Sequence, residues 1–189
     1  MQDFLFFSIK MGMPNIFLLK SRDESEFKKL FDHQASKVLN MAFYILGNRQ
    51  DAEDVTQEVF KSVFLGIENF KEEAGLHTWI YRITLNKCNE FLRKKNRMKR
   101  RGILLNLWDA SHLSNNETPE ILHILKEEEQ RLWQSIQVLP ENQKTALVLF
   151  SMNDLSYHEI AAAMNLSHAS VESLLFRART TLKKNKYGK

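Results

Sequence analysis

Apolar residues recur at steps of three and four along most of this chain, with polar residues filling the opposite side of each repeat. That is the period of an α-helix with one buried face. Phe27, Leu30, Phe31, Gln34, Ala35, Val38, Leu39, Ala42, Phe43 and Leu46 keep the period. Ser21-Arg22-Asp23-Glu24 ahead of them has the form of a capping box, and Gly47 behind them suits the left-handed position past a helix end. Asn48-Arg49-Gln50 is a connection short enough for antiparallel neighbours. A second helix is expected from Asp51, as its N-cap, to about Gly66, with Ala52, Val55, Val59, Phe60, Val63 and Phe64 as its apolar stripe. Ile67 to Gly75 is polar apart from Ile67 and Phe70 and reads as a loop. A third helix starts near Leu76 to Thr78, carries Trp79, Ile80, Ile83, Cys88 and Leu92 toward a core, and ends in a basic run from Arg93 to Arg101.

The pattern breaks between Gly102 and Glu117, which reads as a linker. Thr118 and Pro119 then mark a helix start, as N-cap and first helical residue. Ile121, Leu122, Leu125, Leu132, Trp133, Ile136 and Leu139 follow, and Pro140 opens another helix. After a turn at Asn153-Asp154, Ser156-Tyr157-His158-Glu159 forms a second capping box and starts a short helix through Ile160, Ala161 and Met164. Asn165 tolerates the left-handed conformation the next turn needs. Ser167 caps a last helix from His168 to about Lys183. Short helix, tight turn, longer helix is the helix-turn-helix plan. Small Ala161 allows a close crossing, and Leu166 and Val171 are expected to fill the corner, with Leu174 or Leu175 continuing the core.

Composition agrees with this outline. With 189 residues, 6 of them Gly and 3 Pro, the chain suits long helices and two small domains better than an all-β fold. The expected fold is all-α: two small helical domains joined by a flexible linker, the second a helix-turn-helix. Residues 1–20 are expected to be an N-terminal extension, frayed or over-long, 21–101 the first domain, 102–117 the linker and 118–189 the second domain. The apolar stretch Asp3 to Ile9 lacks a basic leader and a small-residue cleavage site, so a signal peptide is not expected. No apolar run approaches the roughly 20 residues of a membrane span. The single cysteine, Cys88, excludes an internal disulfide framework and a multi-cysteine zinc site.

The net charge of +4 matters only where it clusters. The Arg93–Arg101 run is the densest positive stretch. It reads either as a solvated helix end complementing the dipole or as a phosphate-binding surface. The same helix carries Trp79, Tyr81, Arg82 and Asn86, and rings, amides and cations together suit single-stranded nucleic acid. Trp79 among apolar neighbours reads more simply as core. The acidic side of the second helix, Asp51, Asp54, Gln57 and Glu58, reads equally as a solvated face or a partner surface. No phosphate-cradling glycine loop, nucleophile elbow or metal-ligand cluster stands in the chain, and His158 and His168 have no carboxylate or cysteine cluster to support a metal. No catalytic residue, cofactor or metal is therefore expected.

Taken in order, these pieces resemble a bacterial sigma factor of the extracytoplasmic-function (group four) type of the sigma-70 superfamily. Asp51-Ala52-Glu53-Asp54-Val55-Thr56-Gln57-Glu58-Val59-Phe60 resembles the family's region 2.2. Phe70-Lys71, Thr78 to Ile83 and Asn86 resemble regions 2.3 and 2.4. Leu139-Pro140-Glu141, Leu155 to Ala161, and Val171 to Arg179 resemble region 4. The resemblance implies a cytoplasmic, non-catalytic subunit that binds core RNA polymerase at its β′ clamp and β flap. It also implies promoter DNA as a partner and an anti-sigma factor, often membrane-anchored, with no small-molecule substrate. Asp51, Asp54, Gln57 and Glu58 would dock on polymerase. Phe70, Lys71, Tyr81, Arg82 and Asn86 would hold the unpaired −10 strand. Arg93, Lys94, Lys95, Arg97, Arg100 and Arg101 would hold phosphate as the duplex opens. His168, Ser170, Glu172, Ser173, Phe176 and Arg177 would face the −35 element. Glu172 and Leu174 depart from the basic residues usual there. Glu172 cannot hold phosphate but can accept from cytosine N4.

Two other readings use the same residues. A free-standing helix-turn-helix regulator explains the second half and leaves Asp51–Arg101 without a task. An enzyme finds no catalytic constellation.

Overall fold

The computed structural model describes residues 14–105, 127–152 and 155–187. Every regular element among them is helical: α1 (Ile16–Lys20), α2 (Glu24–Leu46), α3 (Arg49–Gly66), a 3₁₀ turn (Ile67–Asn69), α4 (Leu76–Leu105), α5 (Glu127–Gln137), α6 (Glu141–Met152), α7 (Tyr157–Met164) and α8 (His168–Tyr187). The expected helix start at Thr118-Pro119, the Asn153-Asp154 turn and most of the 102–117 linker lie outside the described residues.

Part of the expected extension is structured. Asn15 caps α1 by accepting from the N–H groups of Phe17 and Leu18 at 2.9 and 3.3 Å. Its own N–H donates to Glu26 Oε2 at 2.7 Å, and Leu19 is fully buried. Glu26 is 5% exposed yet remains a carboxylate, because Lys29 donates to it at 2.6 Å and holds its pKa down. Since α1 occupies the chain up to Lys20, the cap of α2 falls on Asp23, which accepts from Glu26 N at 3.0 Å. Ser21 instead donates back to Leu18 O at 2.9 Å, so the expected capping box from Ser21 does not form.

Gly47 ends α2 at φ 74°, donating to Phe43 O at 2.8 Å. The cap of the next helix falls three residues earlier than expected. Asn48 is its cap, accepting from Asp51 N at 2.9 Å. Asp51 is thereby released from capping and binds Lys95 instead, at 2.8 Å. Ala52, Val55, Val59 and Val63 of α3 are buried against α2 and α4, with Val38, Met41, Ala42 and Ile45 opposite. Phe60 and Phe64 sit at the edge of this core, paired with Phe31 at 4.8 Å and Phe27 at 4.9 Å. Phe70, which follows the 3₁₀ turn within the expected loop, is 4% exposed. Gly102 does not end α4, which runs on to Leu105.

In the second half, the Ser156–Glu159 capping box forms reciprocally. Asn165 takes the left-handed conformation at φ 55°, ψ 48°. Ser167 Oγ accepts from Ser170 N at 3.2 Å, which starts α8. The corner differs from expectation at one position. Leu166 is 38% exposed, and Val171, Leu175 and Ala178, all fully buried, make the core of the crossing. The two halves also touch. Trp133 stacks on Phe43 at 6.1 Å, Gln137 Nε2 donates to Tyr44 O at 3.0 Å, and α7 packs on α4.

Candidate nucleic-acid and partner interfaces

On α3 the core stripe uses one side, so Asp54, Gln57 and Glu58 project into solvent from the other. Glu58 has Lys61 at 3.6 Å, an exposed pair of little energetic weight. Asp51 differs from its three companions. Its carboxylate is bound to Lys95 across the α3–α4 contact, so it acts first as a tie between helices.

The residues expected at the −10 strand divide into two groups. Lys71, Arg82 and Asn86 are exposed. Arg82 and Asn86 stand one turn apart on α4 and face the same way, and Asn89 continues their row. The helical steps of the sequence already place Asn89 in this row, although the resemblance gives it no role. Phe70 and Tyr81 are core residues: Phe70 packs at 5.2 Å from Trp79, and Tyr81 is 1% exposed. Both rings are therefore covered in the free chain, although Phe70 still lines the cavity beside Lys71 and Arg82. The reason is tertiary: α4 meets α3 on one side and α7 on another, so its Tyr81 side is covered. Trp79 is half-buried, and its rim joins Phe70, Lys71 and Arg82 around a cavity of about 440 Å³. A narrower groove of about 280 Å³ has Arg82, Asn86 and Asn89 on one wall, and Thr145, Ala163 and Asn165 on the other.

Farther along α4, Arg93, Lys94 and Arg97 are exposed around an open cleft. Lys95 is not available in the same way, being held by Asp51 and lying 5.8 Å from the Phe91 ring centre. The side chains of Arg100 and Arg101 lie outside the described ones.

In the second half, His168, Ser170, Glu172, Ser173, Phe176 and Arg177 are all exposed along α8. Phe176 is 71% exposed. Ser170 is partly committed to the cap, 2.8 Å from Ser167 Oγ, and Glu172 lies 3.9 Å from His168. A 20-residue helix spans roughly 30 Å, enough to lie along a major groove.

Glu159 has the most strongly perturbed carboxylate on this side. Bonds from the Ser156 hydroxyl and backbone N–H, with His77 beside it, bring its pKa down to about 2 from the ordinary 4.5. The depressed value means the charged form stabilises the fold above pH 4.5, and that contribution is lost as pH falls from 4.5 toward 2. In urea titrations across this window, Glu159→Gln should flatten the acid limb of the stability profile. An unchanged limb in the variant would show that other carboxylates carry it. Burial pushes the Cys88 thiol up to about 12, so it is an inert core group. No metal-binding cluster of His, Cys, Asp and Glu occurs among the described residues. No helix among them is long and apolar enough to cross a membrane.

These surfaces coincide with known families. Residues 30–98 match Sigma-70 region 2, and residues 129–182 match Sigma-70, region 4, so the class is that of a sigma-70-type transcription factor. The chain is 33% identical over 162 residues to the ECF RNA polymerase sigma-E factor of Haemophilus influenzae, covering 83% of this chain and 85% of that one. It is 31% identical over 167 residues to the RNA polymerase sigma-H factor of Pseudomonas aeruginosa, covering 86% of each. Among solved structures, CnrH in complex with the cytosolic domain of CnrY aligns with TM-score 0.67 at 20% identity, over 89% of this chain and 92% of that one. RpoE in complex with the anti-sigma factor NepR from Bartonella quintana aligns with TM-score 0.68 at 20% identity, over 84% and 95%. At that identity the structures establish the shared fold. The chain belongs to the extracytoplasmic-function sigma factors, and is an alternative sigma factor for transcription initiation.

Proposed function

We propose that this chain is the dissociable, non-catalytic subunit that brings core RNA polymerase to a specific set of promoters from the cytoplasm. The supporting observation is the separation of two exposed polar surfaces on one all-helical chain: the acid face of α3 and the outer face of α8. A helix-turn-helix regulator acting alone has use for the second but not the first.

In this reading Asp54, Gln57 and Glu58 dock on the β′ clamp, while Asp51 holds the docking helix to α4 through Lys95. Region 4 engages the β flap. Lys71, Arg82 and Asn86, with Asn89 beside them, take the unpaired −10 strand. An amide can read a base edge with paired donor and acceptor, and a guanidinium stacks or binds phosphate. Arg93, Lys94 and Arg97 hold phosphate beside them, with Arg100 and Arg101 continuing the run. The core-binding unit runs from Asn15 to about residue 101, and the −35 unit from about 118 to the C-terminus. On α8, Ser173, Phe176 and Arg177 meet the −35 element, and Glu172 favours a cytosine there over a phosphate. The relatives solved with CnrY and NepR support an anti-sigma partner.

Run-off transcription with purified core polymerase, followed by promoter mapping, tests the reading. Start sites sharing no upstream pattern would refute it. On the mapped promoter, Arg177→Ala should weaken holoenzyme binding by about 1–3 kcal/mol if the guanidinium contacts a base. An equal loss on random DNA would make it a phosphate contact instead.

A further inference from the structure

The segment that carries Lys71 has little to fix its shape from within. Phe70 N–H donates to Ile67 O at 3.1 Å, and Trp79 N–H donates to Gly75 O at 3.1 Å. Between them, residues 71–74 make no backbone–backbone hydrogen bond among the described contacts. Glu72 nevertheless stands at φ 61°, a left-handed conformation that a residue other than glycine keeps only where its surroundings impose it. The tie comes from the N-terminal side of the chain. Lys20, the last residue of α1, donates to Glu72 Oε1 at 2.8 Å, and its Nζ lies over the Phe70 ring, 6.0 Å from the centre. Two residues on, Arg22 at φ 62° pairs with Glu68 of the 3₁₀ turn at 3.1 Å and lies 5.5 Å from the Phe64 ring centre. Helix α1 is itself anchored, by fully buried Leu19 and by the bond from Asn15 N–H to Glu26. A short element seated on the core thus reaches out with two cations, and each meets an acid in the loop or in the turn before it.

Residues Phe70 to Ala74 form one side of the cavity of about 440 Å³, and Thr78, Trp79 and Arg82 of α4 form another. We propose that Lys20 is a positioning residue for promoter selectivity: through Glu72 it holds the 70–75 loop in the conformation that makes this cavity, so that an unpaired −10 base meets Lys71, Trp79 and Arg82 together. Lys20 acts through Glu72 and meets no base. The pair is exposed, with side chains 32% and 54% accessible, and adds little to the stability of the whole domain. Its effect is local. A loop without backbone bonds of its own opens at little free-energy cost, so a weak tie redistributes its conformers while the core stays intact. Only a base that fits the formed cavity gains from the tie, and a base that does not fit binds a loosened loop equally well. The tie therefore acts on the preference between bases more than on affinity as such. This rests on the −10 reading of Lys71 and Arg82, and the test separates the two.

Lys20→Glu and Glu72→Lys change the charge in opposite senses, yet both break the pair. The double variant restores it with the charges exchanged. Each protein is assembled with core polymerase, and the holoenzyme is titrated with the mapped promoter, premelted over its −10 element. The promoter carries the native base or a replacement at each −10 position in turn. Preference for the native base is a ratio of two affinities, so a uniform change in phosphate attraction cancels. Both single variants should lower that preference at one position, by about 5-fold if the binding-ready conformation falls to one-fifth of the loop's population. The double variant should recover it. Urea midpoints and affinity for core polymerase should stay at wild-type values. An equal loss on every base in Lys20→Glu would make Lys20 a phosphate contact and overturn the proposal. A loss in Glu72→Lys that the double variant does not recover would place Glu72 itself on DNA, with the same consequence. Unchanged preference in both single variants also overturns it. If Lys71→Ala and Arg82→Ala lower the preference and the Lys20 variant does not, only the tie is lost. If Lys71→Ala and Arg82→Ala leave binding and preference unchanged at every −10 position, the −10 reading itself fails.

Discussion

Replacing Asp54 with Arg should leave the protein folded and take away its ability to hold core polymerase. Asp54 is exposed on α3, off the Ala52–Val55–Val59–Val63 stripe, with no ion pair among the described contacts. Exposed substitutions of that kind change stability by about 0.5 kcal/mol or less. Helix content and the urea midpoint are thus expected to stay at the wild-type values. At a docking face the same change replaces a favourable charge with a repulsive one, flanked by Gln57 and Glu58 on the adjacent turn. A central contact of this type is worth about 2 kcal/mol or more, which is roughly 30-fold or more in affinity. The measurement is a titration of labelled protein with core polymerase, alongside run-off transcription. Wild-type affinity in a folded Asp54→Arg protein would mean that polymerase uses a different face. The corresponding change at Asp51 is less clean, because it also breaks the bond to Lys95.

A second large effect lies in the helix-turn-helix. Leu175 is fully buried where α8 packs on α6 and α7, beside fully buried Val171 and Ala178. Truncation to Ala should cost about 2–5 kcal/mol, from lost burial and the cavity left behind. Small domains have only a few kcal/mol to spare, so region 4 should unfold over a large part of the accessible temperature range. Loss of −35 binding would then accompany loss of structure, whereas Arg177→Ala should lose binding with the fold intact. Circular dichroism melts beside promoter binding separate the two. Leu166→Ala is the control at a leucine that is 38% exposed, and should cost far less. A Leu175→Ala protein that melts like wild type would show that this crossing is not the centre of the second core.

Much of the local structure was legible before any tertiary contact was known. The apolar period of α2 and α3, the left-handed Gly47 and Asn165, and the Ser156–Glu159 box all appear where the residues imply. Each depends on neighbours within a turn or two, through backbone hydrogen bonds that close over four residues and caps that reach over three. The order of motifs carried the family for the same reason, since it is a property of the chain rather than of its packing. Where caps were misplaced, the error was also local. Asn48 displaced Asp51 and Asp23 displaced Ser21, because several residues nearby could cap and the competition was settled by where the previous element stopped.

The sequence by itself therefore determined the helices, most of their ends, the helix-turn-helix and the membership of the family. Only the tertiary structure decided which side of each helix meets water. Tyr81 and Arg82 are adjacent in the chain, yet one is 1% exposed and the other open to solvent, because the helices packed on α4 cover the side that carries Tyr81 and leave Arg82 uncovered. Lys95 stands within a basic run and is nonetheless bound to Asp51, 44 residues away. Glu159, fully explained locally as a cap, also reaches His77 across 82 residues. Periodicity identifies a face but not its occupant, since long-range partners are chosen by how whole helices pack, and no local repeat encodes that choice.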